Sequence, residues 1–185
     1  IYTATLRGGD AGPHIRDLAG NALSLDYDWS FTTAASPGCS GNPIVVENCK
    51  PGSPASEWDV VGAGDPGIQG FATDISVDQG ETVHFKIDTA ADVDDYRLDI
   101  YRMGYYNGAG ARGVATVTPS ATLPQSQPNC LNDAATGLID CGNWAVSGSW
   151  PVPATATSGI YFAKLVRTDT GGASHIFFVV RDDSS

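Results

Sequence analysis

Residues 102–112 read Arg-Met-Gly-Tyr-Tyr-Asn-Gly-Ala-Gly-Ala-Arg, and here the side chains best suited to recognition crowd together. Tyr105 and Tyr106 are two adjacent amphipathic rings, flanked by the cations Arg102 and Arg112. Gly104, Gly108 and Gly110 free the backbone around them. Such a loop can stack on sugars or dock a protein surface, since each ring offers apolar area and a polar tip. The same rings can instead pack on the domain that carries them, as large aromatics commonly do. Asp92, Asp94 and Asp95 supply hard oxygen ligands of the kind Ca²⁺ takes, but without the spacing or closing Glu of an EF-hand. His14, His84 and His175 are scattered, and no GxSxG elbow accompanies the serines, so nothing here composes a nucleophilic site. Trp58, Trp144 and Trp150 could line a carbohydrate platform or fill a core.

The four cysteines fall in two close pairs, Cys39 with Cys49 and Cys130 with Cys141, each in a stretch rich in small polar residues, Gly or Pro. Two local disulfides are the expected pairing, and they require an oxidising compartment. A zinc site is the rival reading. The absence of CxxC spacing and of a nearby His counts against it. No cofactor is expected.

These residues need a scaffold, and composition says which kind. The chain has 185 residues, 42% of them hydrophobic and only 17% charged, with 22 Gly and 11 Pro. That mix favours short strands joined by tight turns. Asp and Glu number 21 against 10 Lys and Arg, a net charge of −11, which makes nucleic acid a poor partner. No apolar run approaches a bilayer span, so membrane insertion is not expected. An exported mature chain would have lost its signal peptide, so the lack of one here does not argue for the cytoplasm.

Period-two alternation marks strands at 2–7 and 27–32, with Tyr27, Trp29 and Phe31 on one face. Two strands do not make an independent domain. Residues 1–35 are therefore expected to be the incomplete end of a domain that covers its apolar face with another copy, another chain or the main sandwich. Residues 36–43 read as a linker. Beyond it, strands are expected around 44–47, 58–61, 71–77, 82–89, 96–101, 114–118 and 144–150, with a final hairpin at 159–168 and 174–181. Val83, Phe85 and Ile87 share one face, as do Tyr96, Leu98 and Ile100, and Tyr161, Ala163 and Leu165 can meet Ile176, Phe178 and Val180. Seven to nine strands in residues 44–185 make the fold class all-β: an Ig-like antiparallel β-sandwich preceded by a partial Ig-like strand pair.

Two family resemblances sharpen this. The stretch YTATLRGGDAGPHIRDLAGNALSLDYDWSFTT, through its DLAGNAL turn and closing WSFTT strand, resembles the C-terminal strands of a bacterial Ig-like domain of surface and secreted proteins. From residue 44, Glu47-Asn48, Trp58, IQGFATDISV, YRLDIYRMGYYNGAGAR and SGIYFAKLVRTDTGGASHIFFVVRDD resemble the N-terminal β-sandwich region of the N,N-dimethylformamidase large-subunit family. SGIYFAKL also resembles the penultimate strand of Ig-like sandwiches, where a Tyr pins a corner. The second resemblance implies an iron-dependent amidase whose Tyr and Glu ligands lie in a separate C-terminal domain expected after Ser185, so no iron ligand is assigned to this chain.

The function expected is that of a non-catalytic extracellular module of a larger secreted or surface protein, acting in structure, domain docking or self-assembly. Its partners would be neighbouring domains or other copies of itself. The alternatives are a glycan-binding accessory module, with carbohydrate as partner, and a non-catalytic fragment of an amidase-like enzyme.

Overall fold

The computed structural model describes residues 2–9, 15–32 and 38–184. His14, the end of the first segment (33–35) and residues 36–37 of the linker lie outside the described residues. The chain divides into two units, Ile1–Gly38 and Cys39–Ser185.

In the first unit β1 (Tyr2–Leu6) and β2 (Tyr27–Phe31) pair antiparallel. Tyr2 stands opposite Phe31, Ala4 opposite Trp29 and Leu6 opposite Tyr27, so the alternation puts all the rings on one side. Tyr2 and Phe31 stack with centres 5.7 Å apart. The other side is polar: the Thr3 and Ser30 hydroxyls are 3.2 Å apart, and Thr5 donates to the Asp28 carboxylate. The DLAGNAL turn is organised by Asp17. Its carboxylate accepts from the backbone N–H of Ala19 and Asn21 and from the Asn21 side chain, at 2.8–2.9 Å. These bonds, Asn21's first, hold the Asp17 carboxyl below its ordinary range.

The second unit opens with two short helices: α1 (Pro43–Asn48), where a strand was expected at 44–47, and α2 (Ala55–Trp58), which ends where a strand at 58–61 was expected to begin and none forms. The β-branched run Ile44-Val45-Val46 suggests a strand, but its neighbours decide otherwise. Asn42 accepts the Ile44 N–H at 2.8 Å, and Pro43 sits at the first helical position, where its missing donor costs nothing. Ten strands follow: β3 (Ile68–Ala72), β4 (Ser76–Asp78), β5 (Thr82–Thr89), β6 (Tyr96–Met103), β7 (Ala111–Val117), β8 (Leu131–Asp133), β9 (Leu138–Asp140), β10 (Gly148–Pro151), β11 (Gly159–Arg167) and β12 (Ala173–Arg181). The count exceeds the seven to nine expected because the strand read at 71–77 is two, and because β8 and β9 form a small exposed hairpin.

The other eight strands make two sheets, ordered β10-β5-β3 and β4-β12-β11-β6-β7. All pairs are antiparallel except β12 with β4. The chain passes between the sheets five times, from β3 to β4, β4 to β5, β5 to β6, β7 to β10 and β10 to β11. The result is an all-β Ig-like sandwich. Its core joins Val83, Phe85 and Ile87 of one sheet to Leu98, Ile100, Tyr161, Leu165, Ile176 and Phe178 of the other. Phe85 meets Phe178 edge-on at 5.7 Å. Tyr161 supplies the corner pin, its hydroxyl donating to Thr157 O at 2.6 Å. β11 is buried on both faces, because the segment carrying α1 and α2 straps across the outer side of the five-stranded sheet.

Candidate functional site

The loop singled out by its rings and arginines meets this strap. The strap is closed by the Cys39–Cys49 disulfide, with Cα atoms 5.7 Å apart, one helix-length from Asn42. The last residues of α1, Glu47 and Asn48, are thereby held over the β6–β7 connection. The Asn48 side-chain oxygen accepts the Tyr105 N–H at 2.5 Å, and its amide group donates to Ile44 O at 2.8 Å. Gly104 is required by this approach: a Cβ there would lie 2.5 Å from the Asn48 oxygen and 2.8 Å from the Tyr106 ring. Tyr106 and Asn107 adopt left-handed backbone angles, φ 39° and 56°. Asn tolerates that region, whereas Tyr is held there by the burial of its ring.

Glu47 is 3% exposed and is the centre of the cluster. Its Oε1 accepts from Arg112 Nε at 2.8 Å and Nη2 at 2.5 Å, and from the Tyr106 hydroxyl at 3.1 Å. Its Oε2 accepts from Lys50 Nζ at 2.6 Å and from the Thr157 hydroxyl at 3.5 Å. Arg102, also 3% exposed, donates to the Tyr106 oxygen at 3.0 Å and to the carbonyls of Met103, Thr157 and Ser158. Burial would raise the Glu47 carboxyl, but the hydrogen bonds from Lys50 and Arg112, the Arg112 charge and the Tyr106 hydroxyl outweigh it and hold the group at about 2. Burial pushes the Tyr106 phenol up, against the hydrogen bond and charge of Arg102. The cluster is thus a fixed carboxylate ringed by donors, suited to locking a helix onto a sheet.

A second anchor lies at α2. Its last carbonyls have no partner within the helix, and the sheet's outer face supplies donors. Lys164 Nζ reaches Glu57 O at 2.8 Å and Asp59 O at 3.2 Å, and the Tyr101 hydroxyl reaches Glu57 O at 3.3 Å. His175 Nε2 lies 2.7 Å from Trp58 O. A carbonyl can only accept, so that nitrogen carries the proton. The Trp58 indole packs on Phe162 and fills the space beside Gly110, where a Cβ would meet it at 2.9 Å.

The candidate residues are therefore distributed unevenly. Of the docking loop, Arg102 and Tyr106 point inward and Arg112 is partly buried, while Tyr105 is 70% exposed. A two-ring platform at Tyr105 and Tyr106 is not formed. Trp150 lies in the core, Trp58 under the strap, and Trp144 against Phe71 with its indole N–H on Pro128 O. Asp92, Asp94 and Asp95 do not converge: Asp92 pairs with Arg167 at 3.0 Å, and Asp95 receives Thr168. Among the described residues no three His, Cys, Asp or Glu side chains stand where they could hold a metal ion. Of the three acids, Asp92 has its charge countered by Arg167. Both cysteine pairs are disulfides, the second with Cα atoms 4.3 Å apart and closing the β8–β9 hairpin. His84 lies on the polar face, 2.7 Å from the Ser149 hydroxyl. Glu47, Lys50 and Thr157 were missed as members of one cluster, and Lys164 as the donor at the second anchor. The pair Asn42-Pro43 was the available signal, since a helix start there carries Glu47 to the loop.

No curated protein matches the chain. Among solved structures, it is similar to VCBP3, domain 1, from Branchiostoma floridae, at 10% identity over 65% of this chain and 98% of that one, with a TM-score of 0.39. The quoted motifs within β6, β7, β11 and β12 fall inside a family match, whereas Glu47-Asn48 and Trp58, which clamp those strands, fall outside it. The family is the one the motifs resemble, but its description names the C-terminal part of a beta subunit, whereas the resemblance implies an N-terminal sandwich of the large subunit. Residues 97–185, from β6 to the end of β12, match the family described as N,N-dimethylformamidase beta subunit-like, C-terminal.

Proposed function

We propose that this chain is a non-catalytic β-sandwich module of a larger extracellular protein, serving its structure and the docking of neighbouring domains. One observation carries the reading. The most deeply buried carboxylate, Glu47, has both oxygens engaged by donors from within the chain, leaving neither for a substrate. Groups tuned for proton transfer are held near neutral pH, and this one is held at about 2. Two disulfides, with no free cysteine among the described residues, support an oxidising, extracellular setting. Ile160 and Phe177, exposed on the outer face of β11 and β12, offer apolar area through which neighbouring domains or other copies would dock.

The family match makes an amidase-like parent protein the natural context, with bond cleavage performed elsewhere in that parent. The test is direct: incubate the purified chain with N,N-dimethylformamide and added iron salts, and follow dimethylamine release. The expected result is no release above the buffer control. Turnover that disappears in Glu47→Gln would overturn the reading.

A further inference from the structure

A groove opens beside the Glu47 cluster, between the end of α1, β7 and the loop leading into β11. Lys50, Arg112, Pro153, Thr155 and Thr157 line its walls, and Trp150 and Tyr161 close its floor. The only carboxylate in it, Glu47, is buried and already bonded. The charge the groove presents to solvent is therefore cationic, on a chain whose total is −11. Arg102 adds a further positive charge behind it, for its partners are three carbonyls and a phenol rather than a carboxylate.

The donors outnumber what Glu47 consumes. Lys50 has three N–H groups, of which one meets Glu47, and its side chain is 50% exposed. Arg112 gives Glu47 its Nε and one Nη2 hydrogen, while its Nη1 makes only a 3.4 Å contact to Gly113 O. The Thr155 hydroxyl has no protein partner among the described residues. Open donors on an ammonium, a guanidinium and a hydroxyl, around a groove with no free acceptor charge, suit an oxyanion with two acceptor atoms.

We infer that this groove binds a carboxylate group, carried either by a free small acid or by a uronic-acid residue of a polysaccharide. The experiment is an NMR titration of the ¹⁵N-labelled full chain with three probes: sodium acetate, a galacturonic acid trisaccharide and a neutral galactose trisaccharide. Saturable shifts of the Lys50, Arg112, Thr155 and Thr157 amides with the acids, and none with the neutral sugar, are expected. Equal affinity for acetate and the trisaccharide assigns the site to free acids, and tighter binding of the trisaccharide assigns it to the polymer. Lys50→Gln should weaken binding about tenfold, the loss of one charged hydrogen bond, with the folded spectrum otherwise retained. Should that variant lose its fold, Thr155→Val provides the same comparison. Absence of saturable shifts with both acids, or equal shifts from the neutral sugar, overturns the inference. Either outcome leaves the amide-hydrolysis test of the preceding section unaffected.

Discussion

Hairpin β1–β2 and hairpin β11–β12 alternate apolar and polar residues with the same period, yet Tyr2 and Tyr27 are 60% and 61% exposed while Phe178 is 1% exposed. The period fixes which side chains share a face. What covers the face comes from elsewhere in the chain: β5 and β10 lie over the inner side of β11–β12, and the strap covers part of the outer side. Within its own unit the β1–β2 ribbon has no second sheet among the described residues. Truncation should separate the two hairpins sharply. Phe178 touches Phe85, Trp150 and Tyr161, so Phe178→Ala should cost about 3–5 kcal/mol in a urea unfolding series. Trp29→Ala removes a ring that already meets water and should cost below about 1 kcal/mol. Comparable losses would erase the distinction between a shared face and a covered one.

The strap sharpens the comparison, because its cover is held by charge rather than by apolar area alone. Glu47→Gln leaves Arg112 and Lys50 without their counter-charge. Both cations reach water, so the cost falls below that of stranding a fully buried ion, at about 2–3 kcal/mol near neutral pH. The pH dependence identifies the cause. The folded Glu47 carboxyl is held at about 2, below its ordinary value of 4.5. The unfolded chain therefore binds the proton more readily, and the stability Glu47 adds is complete above pH 4.5 and disappears as the pH falls towards 2. Wild type and Glu47→Gln should accordingly differ most at pH 7 and converge at pH 2–3. A gap that persisted undiminished into acid would mean that shape, not charge, holds the strap.

Legibility in the sequence follows the same division. The inner faces of β5, β6, β11 and β12 could be read residue by residue, because antiparallel strands with one wet side print their burial as alternation. The corner tyrosine could also be read, since Tyr161 lies near the start of a strong strand. Residues 44–47 were misread because three β-branched residues outweighed the weaker signal of Asn42-Pro43, although a cap and a proline govern where a helix begins. Burial of β11 on both faces was invisible for a related reason: Phe162, Lys164 and Val166 alternate as a wet face would, with Lys164 supplying the polar position. Its ammonium is buried because the carbonyls at the end of α2, more than a hundred residues earlier, accept from it. The site residues could be read as a motif but not as a cluster. Arg102, Tyr106 and Arg112 are close in sequence, whereas their common acceptor Glu47 is brought to them by a helix and a disulfide.

The smallest expected effect lies at the second anchor. Burial lowers the His175 imidazole below its ordinary 6.5, and the Lys164 charge pushes the same way, against the hydrogen bond to Trp58 O and the Asp59 carboxylate. The ring sits 4.6 Å from Phe162, so a charge there is poorly solvated. Because the folded form takes up the proton less readily than the unfolded chain, His175 contributes its full stability above pH 6.5 and loses it as the pH falls through and below that value. This window lies above that of Glu47, so the two anchors can be titrated separately. His175→Gln keeps an N–H for the Trp58 carbonyl and removes the titration. Unfolding free energies measured at pH 7.5 and 5.5 should drop by up to about 1 kcal/mol in wild type and by less in the variant. An identical drop in both would place the mild-acid sensitivity elsewhere and leave Glu47 as the one pH-dependent hold on the strap.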